Sequence, residues 1–256
     1  MEQYLDKVPL LLLLISRIGG VTATAPLFRN KFVLPPLRAA LSVLLGLIIL
    51  PAAEGKVADG VLTGTGLLAG CVLELLTGLI MGLIGQLTFS AVQMAGFMLD
   101  LDMGFMNAQL FDPASGQSDP LFSTFFQSLA LTVYLALNGH HWLLRALAES
   151  YTAIPAGGLV ASSQGLLHVV NMFGGLLAAA VQMVLPFTAI MLLASVALAG
   201  INRAVPQMHV FAVGMGAKAV AGLAIAALLI PYLLGSLEPL FVRGHTELLR
   251  TLELMR

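Results

Sequence analysis

The sequence predicts an all-α integral membrane protein, and three observations carry that prediction. Hydrophobic residues make up 59% of the 256 residues and charged residues only 10%, whereas a soluble domain carries about 25% charge to face water. The apolar residues gather into long runs joined by short polar links. Several runs reach or exceed the roughly 20 residues that one helical pass through a bilayer needs. The net charge of −1 offers no basic field, so no nucleic-acid partner is expected.

The apolar segments lie at 8–27, 37–53, 61–99, 121–137, 166–201 and 210–237. The first resembles a secretory leader at Val8–Ile15 with Ala23-Thr24-Ala25 behind it. Glu2 and Asp6 deny it a basic start, and Arg17 interrupts its apolar run, so a retained helix is expected. The runs at 61–99 and 166–201 suit either two passes or one long tilted helix. Gly78-Leu79-Ile80-Met81-Gly82 is a small-xxx-small pattern that allows close helix approach. Gly85, the Gly174-Gly175 pair and Pro186 are candidate bend points. The lone Cys71 reads as a small buried apolar residue. Residues 236–256 read as a short amphipathic tail, and residues 1–256 as a single domain.

The links give little orientation. Arg29, Lys31 and Arg38 favour a cytoplasmic first loop, but later links mix signs. Glu74 lies inside an apolar run, where a charge is costly and faces a bundle interior, a cavity or a partner. Arg203 ends another run, and Arg203 or Lys218 could pair with Glu74 or with an aspartate.

Residues 100–120 form the longest polar stretch, with Asp100, Asp102, Asp112 and Asp119. Three readings stand for it. A metal site is disfavoured because Asp100 and Asp102 fall on different faces of a helix and no EF-hand spacing is present. A solvated loop turning at Asp112-Pro113 is the plain alternative. The third is a loop that blocks a pore, suggested by its length and by the flanking Phe105, Met106, Leu110, Phe111, Leu121 and Phe122. His140-His141-Trp142 lacks the ligand spacing of a zinc site, and Trp142, Tyr134 and Tyr151 read as an interfacial belt. Asn202 to Gln207 reads as a turn with Arg203 near helix carbonyls. No nucleophile–base constellation emerges, since Pro113-Ala114-Ser115-Gly116 matches a serine-protease motif only loosely.

At these same stretches the chain resembles the FliR family of flagellar type III export-gate proteins. The matching pieces run in order: Ala25-Pro26-Leu27-Phe28-Arg29, Pro35 and Arg38; Ala91 to Gly96, Met103-Gly104-Phe105 and Phe111-Asp112-Pro113; Asn138-Gly139-His140; Asn202-Arg203, Pro206-Gln207, Phe211, Val213-Gly214 and Lys218. Phe111-Asp112-Pro113 and Asn138-Gly139-His140 look more like the flagellar than the related virulence branch. Asp102 stands where many members have glutamine, and a proline common before the last lysine is replaced near Gly216-Ala217.

The resemblance implies a non-enzymatic subunit of bent helical hairpins packed into a hetero-oligomeric helical pore. Its implied partners are FliP-type and FliQ-type membrane subunits, other export-apparatus proteins, lipid and, transiently, unfolded exported chains. The implied place is the bacterial inner membrane at the flagellar basal body, and no cofactor or metal is implied. The stretch matching the family's pore plug is 105–122. Its candidate gating residues are Gly104, Phe105, Met106, Leu110, Phe111, Asp112, Pro113, Gly116 and Phe122. Candidates for buried polar or assembly contacts are Glu74, Asp100, Asp102, Arg203 and Lys218. The competing readings are a stand-alone proton-coupled transporter using Glu74, Asp100 and Asp102, and an intramembrane protease using Ser115.

Overall fold

The computed structural model describes residues 7–28, 33–53, 55–58, 61, 64–107, 120–159, 163–204 and 210–255. Seven α-helices occur among them: α1 Val8–Thr24, α2 Pro35–Ala53, α3 Thr65–Met103, α4 Leu121–Ala136, α5 Gly139–Ala153, α6 Ser163–Ala204 and α7 Val210–Leu254. A short 3₁₀ turn, Phe105–Asn107, follows α3. Among the described residues there is no strand, only one isolated parallel bridge between Val57 and Ala156.

Local chemistry accounts for the helix ends. Proline stands in the first turn of α1, where no intrahelical donor is lost. Ala25 is extended and Pro26 follows, so α1 stops there. Asn138 adopts a left-handed φ of 58° between α4 and α5. Asparagine is one of the few side chains that tolerates that conformation.

The two long apolar runs are single helices rather than pairs of passes, with 39 residues in α3 and 42 in α6. The candidate bend points at Gly85, Gly174-Gly175 and Pro186 lie within continuous helix. Residues 236–254 are no separate tail but the continuation of α7, which passes through Pro231 and Pro239.

Packing divides the chain into two compact units, Met1–Thr88 with Leu135–Gly174 and Phe241–Arg256, and Phe89–Tyr134 with Gly175–Leu240. In the first unit α1 and α2 form an antiparallel hairpin. Thr22 and Ser42 hydroxyls meet at 3.1 Å, and Gly46 lies against Ile15 and Ile18. The same α1 runs parallel to α3 at a very close crossing. A Cβ on Gly20 would lie 2.5 Å from the Leu75 carbonyl oxygen, and one on Gly78 would strike the Arg17 carbonyl. One on Gly82 would strike the Thr24 hydroxyl. The small-xxx-small pattern at 78–82 is thus the crossing surface for α1. Leu13, Leu14, Ile18, Met81, Ile84 and Leu147 fill the buried interior around it.

In the second unit the start of α4 seats on α3 at Gly96, where a Cβ would lie 2.5 Å from the Phe122 carbonyl oxygen. Gly222 of α7 admits the Met103 side chain in the same way. Among the described residues three helices, α3, α6 and α7, are long and apolar enough to cross a membrane, or four if the bent α4–α5 pair counts as one span.

Candidate functional site

Both units bury a carboxylate, and each is satisfied differently. In the first unit Arg17 of α1 faces Glu74 of α3, and both side chains are fully enclosed. Their contact is bidentate. Arg17 Nε donates to Glu74 Oε2 at 2.6 Å, and Nη2 donates to Oε1 at 2.7 Å. The Arg17–Glu74 and Gly20–Gly78 contacts are successive turns of the one crossing. The absent Cβ atoms let the backbones approach, and the planar fork then matches the carboxylate.

The remaining donors are also used. Arg17 Nη1 donates to the Ser150 hydroxyl at 2.9 Å, and Nη2 to the Ile154 carbonyl at 3.0 Å. Glu74 Oε1 accepts the Gly157 N–H at 2.7 Å. The guanidinium carbon lies 4.0 Å from the centroid of the Tyr151 ring, a cation–π contact that covers the planar face.

Tyr151 is buried under Arg17 and is no part of an interfacial belt. Trp142 is half-buried, with its ring 5.8 Å from His245, and Tyr134 stacks edge-on against Phe89 at 5.3 Å. Arg17 answers the question of Glu74's partner. Arg203, in the last turn of α6, is exposed, and Lys218 is half-buried. The signal for Arg17 was available in the sequence as a second charge inside an apolar run, but no local spacing links positions 57 residues apart.

In the second unit Asp100 is fully buried near the end of α3. Its Oδ1 accepts the Phe122 N–H and its Oδ2 the Ser123 N–H, both at 3.0 Å. Those amides belong to the first turn of α4, which has no intrahelical acceptors for them. A carboxylate there is also favoured by the helix dipole. Asp100 therefore holds the two ends of the 104–120 link together, and Ser123 adds a bond from its hydroxyl to the Gln93 carbonyl at 3.2 Å.

Asp102 is half-buried, and the contacts of Asp100 do not extend to it, so the two do not form a joint carboxylate site. Gly104 has a φ of 79°, a left-handed turn suited to glycine, and it ends α3. Phe105 then stacks on Phe122 with ring centroids 6.2 Å apart, and Phe122 meets Phe125 and Phe126 edge-on. Met106 is half-buried beside them in sequence. Leu110, Phe111, Asp112, Pro113 and Gly116 lie outside the described residues, as do Ser115 and Asp119. Next to the aromatic cluster is a cavity of about 320 Å³, lined by Phe122, Phe125, Phe126, Leu223, Ile230 and Leu233 among others.

This is a membrane protein whose charged groups hold helices and links together. The chain belongs to the bacterial export proteins of family 1, which match it over residues 8–244. Its relatives include the flagellar biosynthetic protein FliR of Escherichia coli, 28% identical over 94% of this chain and 91% of that protein. The FliR protein of Bacillus subtilis is 31% identical over 85% of each chain. The FliR protein of Aquifex aeolicus is 34% identical over 62% of this chain and 61% of its own.

Proposed function

We propose that this chain is a non-enzymatic subunit of the flagellar type III export gate in the bacterial inner membrane at the basal body. It assembles with FliP-type and FliQ-type subunits into the channel for unfolded flagellar proteins. The observation that carries the reading is uncovered apolar length. At 1.5 Å per residue, helices of 39, 42 and 45 residues are about 58, 63 and 68 Å long. The hydrocarbon core of a bilayer is only about 30 Å thick. Yet large apolar side chains stay exposed along them, from Leu68 to Leu101, from Leu167 to Ile201 and from Val220 to Val242. Lipid covers about half of such a length at modest tilt, so other apolar helices must cover the rest.

The stretch 105–122 is the plug that closes the idle pore. Its described ends support this, since Asp100 and the Phe105–Phe122 stack hold both ends of the link against one helix. Phenylalanine and methionine bulk can dewet a constriction. Purification of the tagged chain from its host in mild detergent, followed by native mass analysis, tests the assembly. Two smaller helical membrane subunits in excess of this chain are expected, and recovery of the chain alone would remove the gate reading. Deleting Asn107–Ser118 should leave assembly intact and make the membrane leak ions. Unchanged permeability would remove the plug.

A further inference from the structure

We propose that Arg17 and Glu74 form a receptor for the backbone of the 154–158 turn, so that their ion pair positions the α5–α6 link as well as joining α1 to α3. The case begins with the backbone groups of that turn. Non-helical backbone enclosed in apolar protein must find partners for each N–H and C=O. Ile154 and Ala156 are fully buried. Ile154 N–H still reaches the helix, donating to the Ser150 carbonyl at 2.8 Å. The Ala156 N–H and carbonyl are taken by the Lys56 carbonyl and the Ala58 N–H, and the Pro155 carbonyl accepts from Gly158.

The Ile154 carbonyl and the Gly157 N–H, one acceptor and one donor, find no backbone partner among these bonds. Arg17 supplies the donor at 3.0 Å and Glu74 the acceptor at 2.7 Å. A pair serving only to join two helices would need neither contact. Through Ala156 the same turn holds residues 56–58, in the link between α2 and α3. The pair thereby fixes two links with one pair of charges. Gly157 is shaped for this place, with a φ of 77° and Val61 packed where a Cβ would stand.

The chemistry makes the idea testable independently of any export role. A buried ion pair that only joins helices can usually be replaced by packed apolar residues without loss. Here the apolar pair would orphan the Ile154 carbonyl and the Gly157 N–H. The reporter is a disulfide between Val57→Cys and Ala156→Cys, which face each other in the parallel bridge. It is formed with copper phenanthroline in native membranes on the full chain carrying Cys71→Ala. Arg17→Met with Glu74→Leu should cut cross-linking about fivefold or more, no better than either change alone. Glu74→Gln keeps an oxygen for Gly157 and should retain roughly half. Cross-linking of the apolar double variant within about twofold of the parent would overturn the proposal. A measurement on the unaltered chain guards against variants that fail to fold. The Gly157 amide should exchange hydrogen about a hundredfold or more slower than in an unstructured peptide, and exchange within about tenfold of that peptide would equally overturn it.

Discussion

Glu74 and Asp100 sit on one helix, both fully buried, yet they are neutralised by different means. Glu74 meets a whole opposite charge on Arg17. Asp100 has no ion-pair partner among the described residues and is held by two backbone amides at the start of α4. The difference shows two routes for keeping a carboxylate inside an apolar protein. One concentrates the compensating charge in a side chain from another helix. The other spreads it over the unpaired N–H groups of a helix end. The first makes each partner dependent on the other. The second makes one side chain the cap of a helix, a smaller but more local contribution.

Breaking the first route should have the larger effect. Arg17→Met strands the Glu74 carboxylate, and removing one partner of a buried pair costs about 3–5 kcal/mol. Thermal unfolding of the purified chain in detergent should show a large fall, and an unchanged midpoint would deny the pair its role. Gly78→Leu attacks the crossing that makes the pair feasible. The new side chain would strike the Arg17 carbonyl, with a cost of about 1–3 kcal/mol for forced overpacking. Gly175→Ala, where a Cβ meets nothing, is the control in the same assay and should not destabilise.

The second route should yield less. Asp100→Asn removes the charge and one of two acceptors at the start of α4, about 1 kcal/mol on the scale of helix caps. On the plug reading it should also raise ion leak in assembled complexes, measured as potassium release. A loss of stability as large as that of Arg17→Met would erase the distinction between the two carboxylates. At the small end, Arg145→Ala breaks an exposed pair with Glu149, one helical turn away. Such pairs contribute about 0.3–0.5 kcal/mol, so the midpoint should barely move.

The contrast also marks how far the chain could be read without its fold. The Gly78–Gly82 pattern was legible because close helix approach needs small residues at a fixed local spacing, and that spacing is written along the chain. Glu74 was legible as a buried polar position because a charge inside an apolar run has few alternatives, whereas Asp100 opens a polar stretch and was equally compatible with a solvated loop. Asp100's role as a cap was not legible, since its amides lie 22 and 23 residues onward across a link. Tyr151 was misread for the same reason. An aromatic residue near a helix end suits either a membrane interface or the face of a buried guanidinium, and only the position of Arg17 decides between them.

By itself the sequence determined that this is an all-α membrane protein, that the Gly78–Gly82 stretch offers a surface for close helix contact, and that Glu74 and Asp100 are candidates for buried polar contacts. Composition and helical periodicity are local properties, and each residue declares them independently of distant ones. The tertiary structure alone decided that Arg17 holds Glu74, that the two together hold the turn after α5, and that Asp100 caps α4. Those pairings depend on where helices cross, and a crossing is fixed by packing summed over whole helices rather than by any motif within them.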